Sequence, residues 1–301
     1  MAYFTYDSAG ARTVEAKGDI RDVITRLSVD SHPLLAKLPA EPTQDIQPKS
    51  PEDSLSAVNN ANAYAENATA PAAVDTARTL NDNYVQHLLK TAEVTTTQNA
   101  VAQYGIGNEL VYQEAKKIIE IMRDGEAILV SDQAKQAPTA ANSRVGKMAG
   151  LSALITSNTD QVADWSLANL EVILAAIVAA GGISVDGQLE AWMDATRKIA
   201  ADAWTTTPTR YTSAIKQLEK EVLLVHTSFG GVKMYWHPYL PQDIVSSAAH
   251  VLILDPSLWQ IRTLIPLNRS SMAITGTARA TLLEWAFCPL SLAQAGNGQF
   301  Y

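Results

Sequence analysis

The sequence predicts an α+β protein, and three observations carry that expectation. Residues 108–130 spell one long amphipathic helix. Residues from about 155 to 265 alternate apolar helix, hairpin and strand patterns. The polar front third has strand-like pieces flanking LSAVNNANAYAENATAPAAVDTAR (55–78), a stretch that cannot fold unaided. Its largest side chains are Leu55 and Tyr64. Ordering such a segment costs roughly 1–2 kcal/mol per residue of backbone entropy, which its own burial cannot offset.

At 301 residues the chain can form two compact units, or one core with long extensions. Composition is globular, at 47% hydrophobic and 18% charged, although much of the apolar share is Ala. The formal net charge of −8 argues against electrostatic wrapping of nucleic acid as the main activity. Residues 51–100 carry six acidic against two basic side chains, and 151–200 repeat the imbalance. The last fifty residues are nearly uncharged, as expected of strands packed on both sides or held between subunits. A single cysteine, Cys288, excludes an internal disulfide and a multi-cysteine metal site; in its apolar run it reads as a buried thiol. Residues 1–18 lack a basic-then-apolar pattern, so no signal peptide is expected there. The longest apolar stretch, Leu167 to Ala180, includes Glu171 and is too short for a bilayer, so no membrane association is expected.

In chain order, residues 1–18 read as an extended arm. Ile20, Val23, Ile24 and Leu27 then space a short helix with Asp19 as its cap. Pro33, Pro39, Pro42 and Pro48 are expected to keep the backbone extended. Residues 49 to about 103 read as a long two-stranded excursion with the Ala/Asn segment at its tip, its better strand at 91–104. Such a ribbon alone is marginal in water. Next, Asn108 caps a helix whose stripe runs Val111, Ala115, Ile118, Met122, Gly125, Leu129 at steps of four and three, for ~33 Å. Gly125 costs up to ~1 kcal/mol relative to Ala, so close packing or a bend is expected there. Residues 131–147 form a polar link. Leu167–Ala180 is a helix apolar nearly all round, expected inside a domain and stopped by Gly181-Gly182. Residues 189–193 alternate as a buried strand, after which Asp194 caps a helix through Trp204; one helix from 187 to 204 is the competing reading. Residues 221–238 spell a hairpin about Gly230-Gly231, with Val232, Met234 and Trp236 alternating. VLILDP and 277–295 supply further strands.

Chemistry is nearly silent. The five histidines, His32, His87, His226, His237 and His250, show no i,i+4 pair, and His226 reads as structural. Gly105-Ile106-Gly107 precedes a helix, but Leu110 stands where a dinucleotide turn needs its third glycine. Phosphate-loop and nucleophile-turn motifs are missing. Glu114, Glu120 and Asp124 mix with Lys116, Lys117 and Arg123 as on a solvated helix face. The six tryptophans read as core or interface anchors. No catalytic, cofactor-binding or metal residue is nominated, no cofactor is implied, and an enzyme is not expected.

The order of parts, however, resembles the major capsid proteins of tailed bacteriophages. Residues 18–38 (GDIRDVITRLSVDSHPLLAKL) are similar to that family's N-terminal segment. DGEAILVS (124–131) is similar to the end of its spine helix, and RVGKMAGLSALITSN (144–158) to the return that follows. HTSFGGVKMYWHPYLP (226–241) resembles its Ser-Asp-Phe-Gly hairpin. TGTARATLLEWAFCPLSLAQAG (275–296) resembles its closing strands, with Glu284 at the usual acidic position.

The resemblance implies the Johnson fold: an N-terminal arm (1–45), an extended β-ribbon loop (46–103), a peripheral domain with the spine helix (104–154) and closing strands (269–301), and an inserted axial domain (155–268). It implies a virion subunit, assembled in the host cytoplasm, that forms hexamers and pentamers of an icosahedral shell around double-stranded DNA without binding it specifically. Inter-capsomer arm and loop contacts would join the subunits, and portal, decoration and scaffolding proteins would be separate partners. An acidic subunit suits that role, since many phosphate contacts would impede packaging. Some relatives cross-link a ribbon lysine to an asparagine. Here no lysine falls between Ser50 and Leu89, leaving Lys49 and Lys90 at the ribbon base, so a shell without covalent links is expected. A cellular encapsulating shell with enzyme cargo, or an enzyme with a large oligomerisation arm, are the alternatives.

Overall fold

The computed structural model describes residues 32–301 except 57, 74–75, 102–106, 162–164, 183–188, 205–223, 241–249 and 274–275. The expected arm helix at Ile20–Leu27 and most of the Gly105-Ile106-Gly107 turn lie outside the described residues. In chain order the elements are α1 (Pro33–Lys37), β1 (Ala40–Pro42), β2 (Lys49–Glu52), β3 (Thr79–Asp82), β4 (Gln86–Thr95), α2 (Thr96–Ala100), α3 (Glu109–Val130), α4 (Leu151–Leu154), β5 (Thr159–Asp160) and α5 (Leu167–Ala179). There follow β6 (Glu190–Met193), α6 (Ala195–Ala203), β7 (Leu224–Thr227), β8 (Gly230–Trp236), β9 (Val251–Leu254), β10 (Trp259–Ser271), β11 (Ala278–Ser291) and β12 (Gly298–Phe300).

Three of these correct the sequence expectations near the front. Pro33 does not hold the chain extended but opens α1, because its fixed φ and missing N–H suit a first helical turn. The strand expected over 91–104 begins at Gln86 and stops at Thr95, whose hydroxyl accepts from Gln98 N and starts α2. Among the described residues the excursion's two arms pair only at its root, where β2 and β3 run antiparallel from Lys49↔Asp82 to Glu52↔Thr79.

A first sheet has the order β1-β10-β11-β4. Its long strands β10 and β11 pair antiparallel, and β4 pairs with β11 from Ala278↔Thr95 to Phe287↔Gln86. Against it lies α3, capped as expected by Asn108, whose side chain accepts from Val111 N. The buried face is not the expected one throughout. Val111 is 58% exposed and Ala115 is exposed, while Glu109, Glu114, Ile121, Gly125, Glu126 and Leu129 are buried. The apolar stripe therefore meets the sheet only along its second half. At Gly125 the approach is close, since a Cβ there would lie 2.6 Å from Trp285 Cζ3.

A second sheet has the order β5-β12-β9-β6-β8-β7. Its central strands are buried on both faces, which is why they read as unbroken apolar runs. Ala191, Met193, Val251 and Ile253 join Leu170, Ile173 and Ile177 of α5 in one core. Trp192, Leu252 and Leu254, at the alternate positions, join Leu129, Trp259 and Phe287 in the other. Residues 189–204 are strand then helix, with Asp194 accepting from Arg197 N as the cap. Helix α5 is not covered all round: Leu170, Ile173, Leu174 and Ile177 are buried, but Val172 is 59% exposed. The hairpin turns at Ser228-Phe229 rather than at the glycines, which open the return strand with Gly230 at φ 125°. Val232 and Met234 are buried as expected, whereas Trp236 is half exposed.

Candidate functional site

Among the described residues the histidines, carboxylates and cysteine stand apart from one another or in structural pairs. Among the described residues no group of three or more His, Cys, Asp or Glu side chains could hold a metal ion. Cys288 is buried, and desolvation pushes its thiol up to about 12 despite the nearby Arg262. His87 lies 3.4 Å from Glu284, on the exposed side of the β4–β11 pair. His226, expected as a structural histidine, is instead exposed in β7. Glu114 is not on a solvated face: it is buried, accepting from Thr281 Oγ1 at 2.6 Å and pairing with Arg269 at 3.0 Å. Glu120 and Asp124 behave as expected, bonded at 2.7 Å to Lys117 and Lys90. Trp192 and Trp259 are core anchors, and Trp165 stacks at a tilt on Phe300 with centroids 5.0 Å apart.

Two features remain that are built with precision, and the first is the root of the ribbon. Asn83, fully buried, donates to Ala149 O and Pro289 O at 3.1 and 2.7 Å and accepts from Ala149 N at 2.8 Å. Its amide thus rivets the ribbon to the first core. Just outside, Asp82 accepts from Lys135 and Gln47, both at 2.7 Å. Burial works against ionisation, but Lys135 and Gln47 outweigh it and hold the Asp82 carboxyl below its ordinary value. Further out, Asn81 donates to Glu52 at 2.6 Å and Arg78 pairs with Asp53 at 3.0 Å. Beyond that ladder every described residue from 55 to 78 is exposed. Leu55 is 97%, Val58 89% and Tyr64 58% exposed. The ribbon is anchored firmly at one end and uncovered at the other.

The second feature joins the two sheets. Glu126, on the buried face of α3, is inaccessible to solvent. Its Oε1 accepts from Leu34 N and from His237 Nε2, both at 2.8 Å, and its Oε2 accepts from Leu35 N at 3.0 Å. His237 Nδ1 accepts from Tyr239 N at 3.3 Å, which assigns the proton to Nε2. At the other end of α1, Lys37 pairs with buried Glu190 at 2.5 Å and lies 4.5 Å from the Tyr235 ring centroid. One helix of five residues therefore ties the spine helix to the second sheet. Sequence reasoning passed over Glu126 as part of an apolar run and His237 as an isolated histidine; their partners lie 92 and 111 positions apart.

A spine helix on a hairpin sheet, a second sheet docked through a short strap, and an outstretched ribbon define a capsid-type subunit. Solved structures share the architecture. That of Mycobacterium phage Bobi is 13% identical with a TM-score of 0.60, covering 99% of this chain and 98% of that one. The capsid of a native GTA particle is 11% identical with a TM-score of 0.63, covering 97% and 96%. The holo-SrpI encapsulin complex from Synechococcus elongatus is 11% identical with a TM-score of 0.55, covering 99% and 95%. These likenesses show the fold. A major capsid protein of Escherichia phage Phieco32 is 41% identical over 83 residues, which is 28% of this chain and 24% of that protein; the match thus spans about a quarter of the relative's length. Residues 4–291 match the SU10 major capsid protein model, and the chain belongs to that family, one of structural capsid proteins rather than enzymes.

Proposed function

We propose that the chain is the repeating subunit of an icosahedral phage head, assembling with itself as hexamers and pentamers around double-stranded DNA. The observation that carries this reading is the ribbon, rooted in a core through Asn83 and bearing Leu55, Val58 and Tyr64 uncovered at its tip. An apolar tip at the end of a fixed stem gains its burial on another subunit. Head-to-tail repetition of such a contact closes rings. The net charge of −8 supports enclosure of DNA without phosphate binding. Family membership favours phage DNA over enzyme cargo as the content.

In this reading residues 1–45 are the arm, 46–103 the extended loop, 104–154 and 269–301 the peripheral domain, and 155–268 the axial domain. Any scaffolding, portal or decoration protein is a partner of that shell, and assembly takes place in the host cytoplasm.

Deleting residues 55–78 tests the reading. Glu52 and Thr79 already face each other across the ribbon, so Asp53-Ser54 becomes a two-residue turn between them. The deleted chain is expected to keep its helix content and cooperative melting, yet form no closed particles by negative-stain microscopy. Unfolding of the monomer would place the segment in an intramolecular core. Particles of undiminished stability would leave the ribbon without a role in the shell.

A further inference from the structure

Against the ribbon root lies a hollow of about 340 Å³, bounded by β3, the start of the polar link, the α4 segment and the end of β11. That is the size of a small-ligand site. Two leucines and three alanines form the apolar share of its wall, and six polar side chains form the rest. Most of the polar groups are already engaged. Asn81 donates to Glu52, and the two oxygens of Asp82 accept from Lys135 and Gln47. The hydrogen-bond pattern assigns the Gln294 side-chain oxygen to Thr156, accepting from its N and Oγ1 at 2.8 and 2.6 Å. What remains is chiefly donors. Ser291 is 4% exposed, and its Oγ has no hydrogen-bond partner among the described residues. Lys135 bonds Asp82 through one of its three N–H groups, and Gln294 turns its Nε2 away from Thr156 as a donor.

A buried hydroxyl without a partner is costly, and an occupant of the hollow would satisfy it. The charge there favours an anion. Asp82 is the one acid among the described residues that line the hollow, and both Lys135 and Lys49 act on it. Two cations around one carboxylate attract a second negative group. We propose that the hollow binds a small aliphatic carboxylate, its oxygens accepting from Lys135 and Ser291 and its stem lying against Leu80 and Leu154. Gln294 supplies a further donor. Such an occupant touches the ribbon through β3 and the body through Lys135 and Ser291, and so braces one against the other. The site is built within one chain and does not depend on how copies assemble.

Equilibrium dialysis of labelled hexanoate against the full chain tests the site. The expected result is saturable binding of one molecule per subunit, with a dissociation constant of about 1 mM or tighter for a ligand of this size. Lys135→Met removes the cation and Ala134→Trp fills the hollow, and both positions are exposed, so neither change disturbs a core. Each is expected to weaken binding about tenfold or more, and hexanamide, of the same size without the charge, to bind about tenfold more weakly than hexanoate. Hydrogen exchange locates the ligand, with slower exchange expected at the amides of Leu80–Asp82 on one wall and of Ser291 on the other. No saturable binding, equal binding of hexanamide, undiminished binding by either folded variant, or protection confined to other segments overturns the proposal. Inorganic phosphate that competes as well as hexanoate does so too, since it has no stem. Should Lys135→Met lose its cooperative melting, Ala134→Trp decides.

Discussion

Replacing Glu126 with alanine should be among the most damaging single changes in this chain. The substitution removes the acceptor of three donors at once: Leu34 N–H, Leu35 N–H and His237 Nε2–H. Two of these bonds are fully buried and the third partly so. A buried donor left unsatisfied costs about 1–3 kcal/mol. The two buried donors give about 2–6 kcal/mol, and the third adds about 1 kcal/mol. Relief from desolvating a carboxylate offsets part of that sum, so a net loss of about 3–5 kcal/mol is expected. That is a large share of the roughly 5–15 kcal/mol that holds a typical domain. Glu126→Gln keeps the shape and one acceptor oxygen but sets an amide N–H against a donor, so it should fall between wild type and alanine. Guanidinium unfolding of the unassembled subunit measures the ranking, and hydrogen exchange at the Leu34 and Leu35 amides localises it. An alanine variant within about 1 kcal/mol of wild type, with those amides still protected, would refute the claim that this carboxylate holds the strap.

The two halves of the spine stripe should behave differently. Ile118→Asp, packed against the first core, should cost several kcal/mol and abolish soluble expression, while Val111→Asp at 58% exposure should leave the unassembled subunit within about 0.5 kcal/mol. Cys288, with its thiol pushed up to about 12, should ignore thiol reagents at pH 8 in the folded chain and react once the chain is unfolded, as absorbance titration will show. Asp82 is held below its ordinary value of 3.8, so its contribution is complete above that pH and disappears as pH falls through the lower folded value. Proteolysis of the ribbon by an acid protease should therefore accelerate below about pH 4, and Lys135→Met should shift the onset towards higher pH. Boiling assembled particles in denaturing detergent should give one band at 32.4 kDa, and a ladder of multiples would reveal covalent links.

What the sequence determined by itself is whatever depends on neighbours a few residues away. Asn108 as a cap, the helix that follows it, Asp194 between strand and helix, and Gly181 at φ 81° after α5 are all local bargains between a side chain and the nearest backbone. The same is true of Pro33, misread because proline forbids a helix interior yet suits its first turn. The order of these elements was enough to carry the resemblance to phage capsid proteins. Which faces are covered was settled only in three dimensions. Val111 and Ile121 are equally apolar in sequence, but β4 and β11 arrive at one side of α3 and leave the other open. Glu114 reads as a surface acid until Thr281 and Arg269 meet it from more than 150 residues away. Glu126 and His237 are likewise brought together by the path of the chain. Periodicity records how a segment divides its own apolar and polar groups. The partner that satisfies a buried charge, or leaves an apolar face bare, lies elsewhere in the chain or on another copy, and no local pattern encodes it.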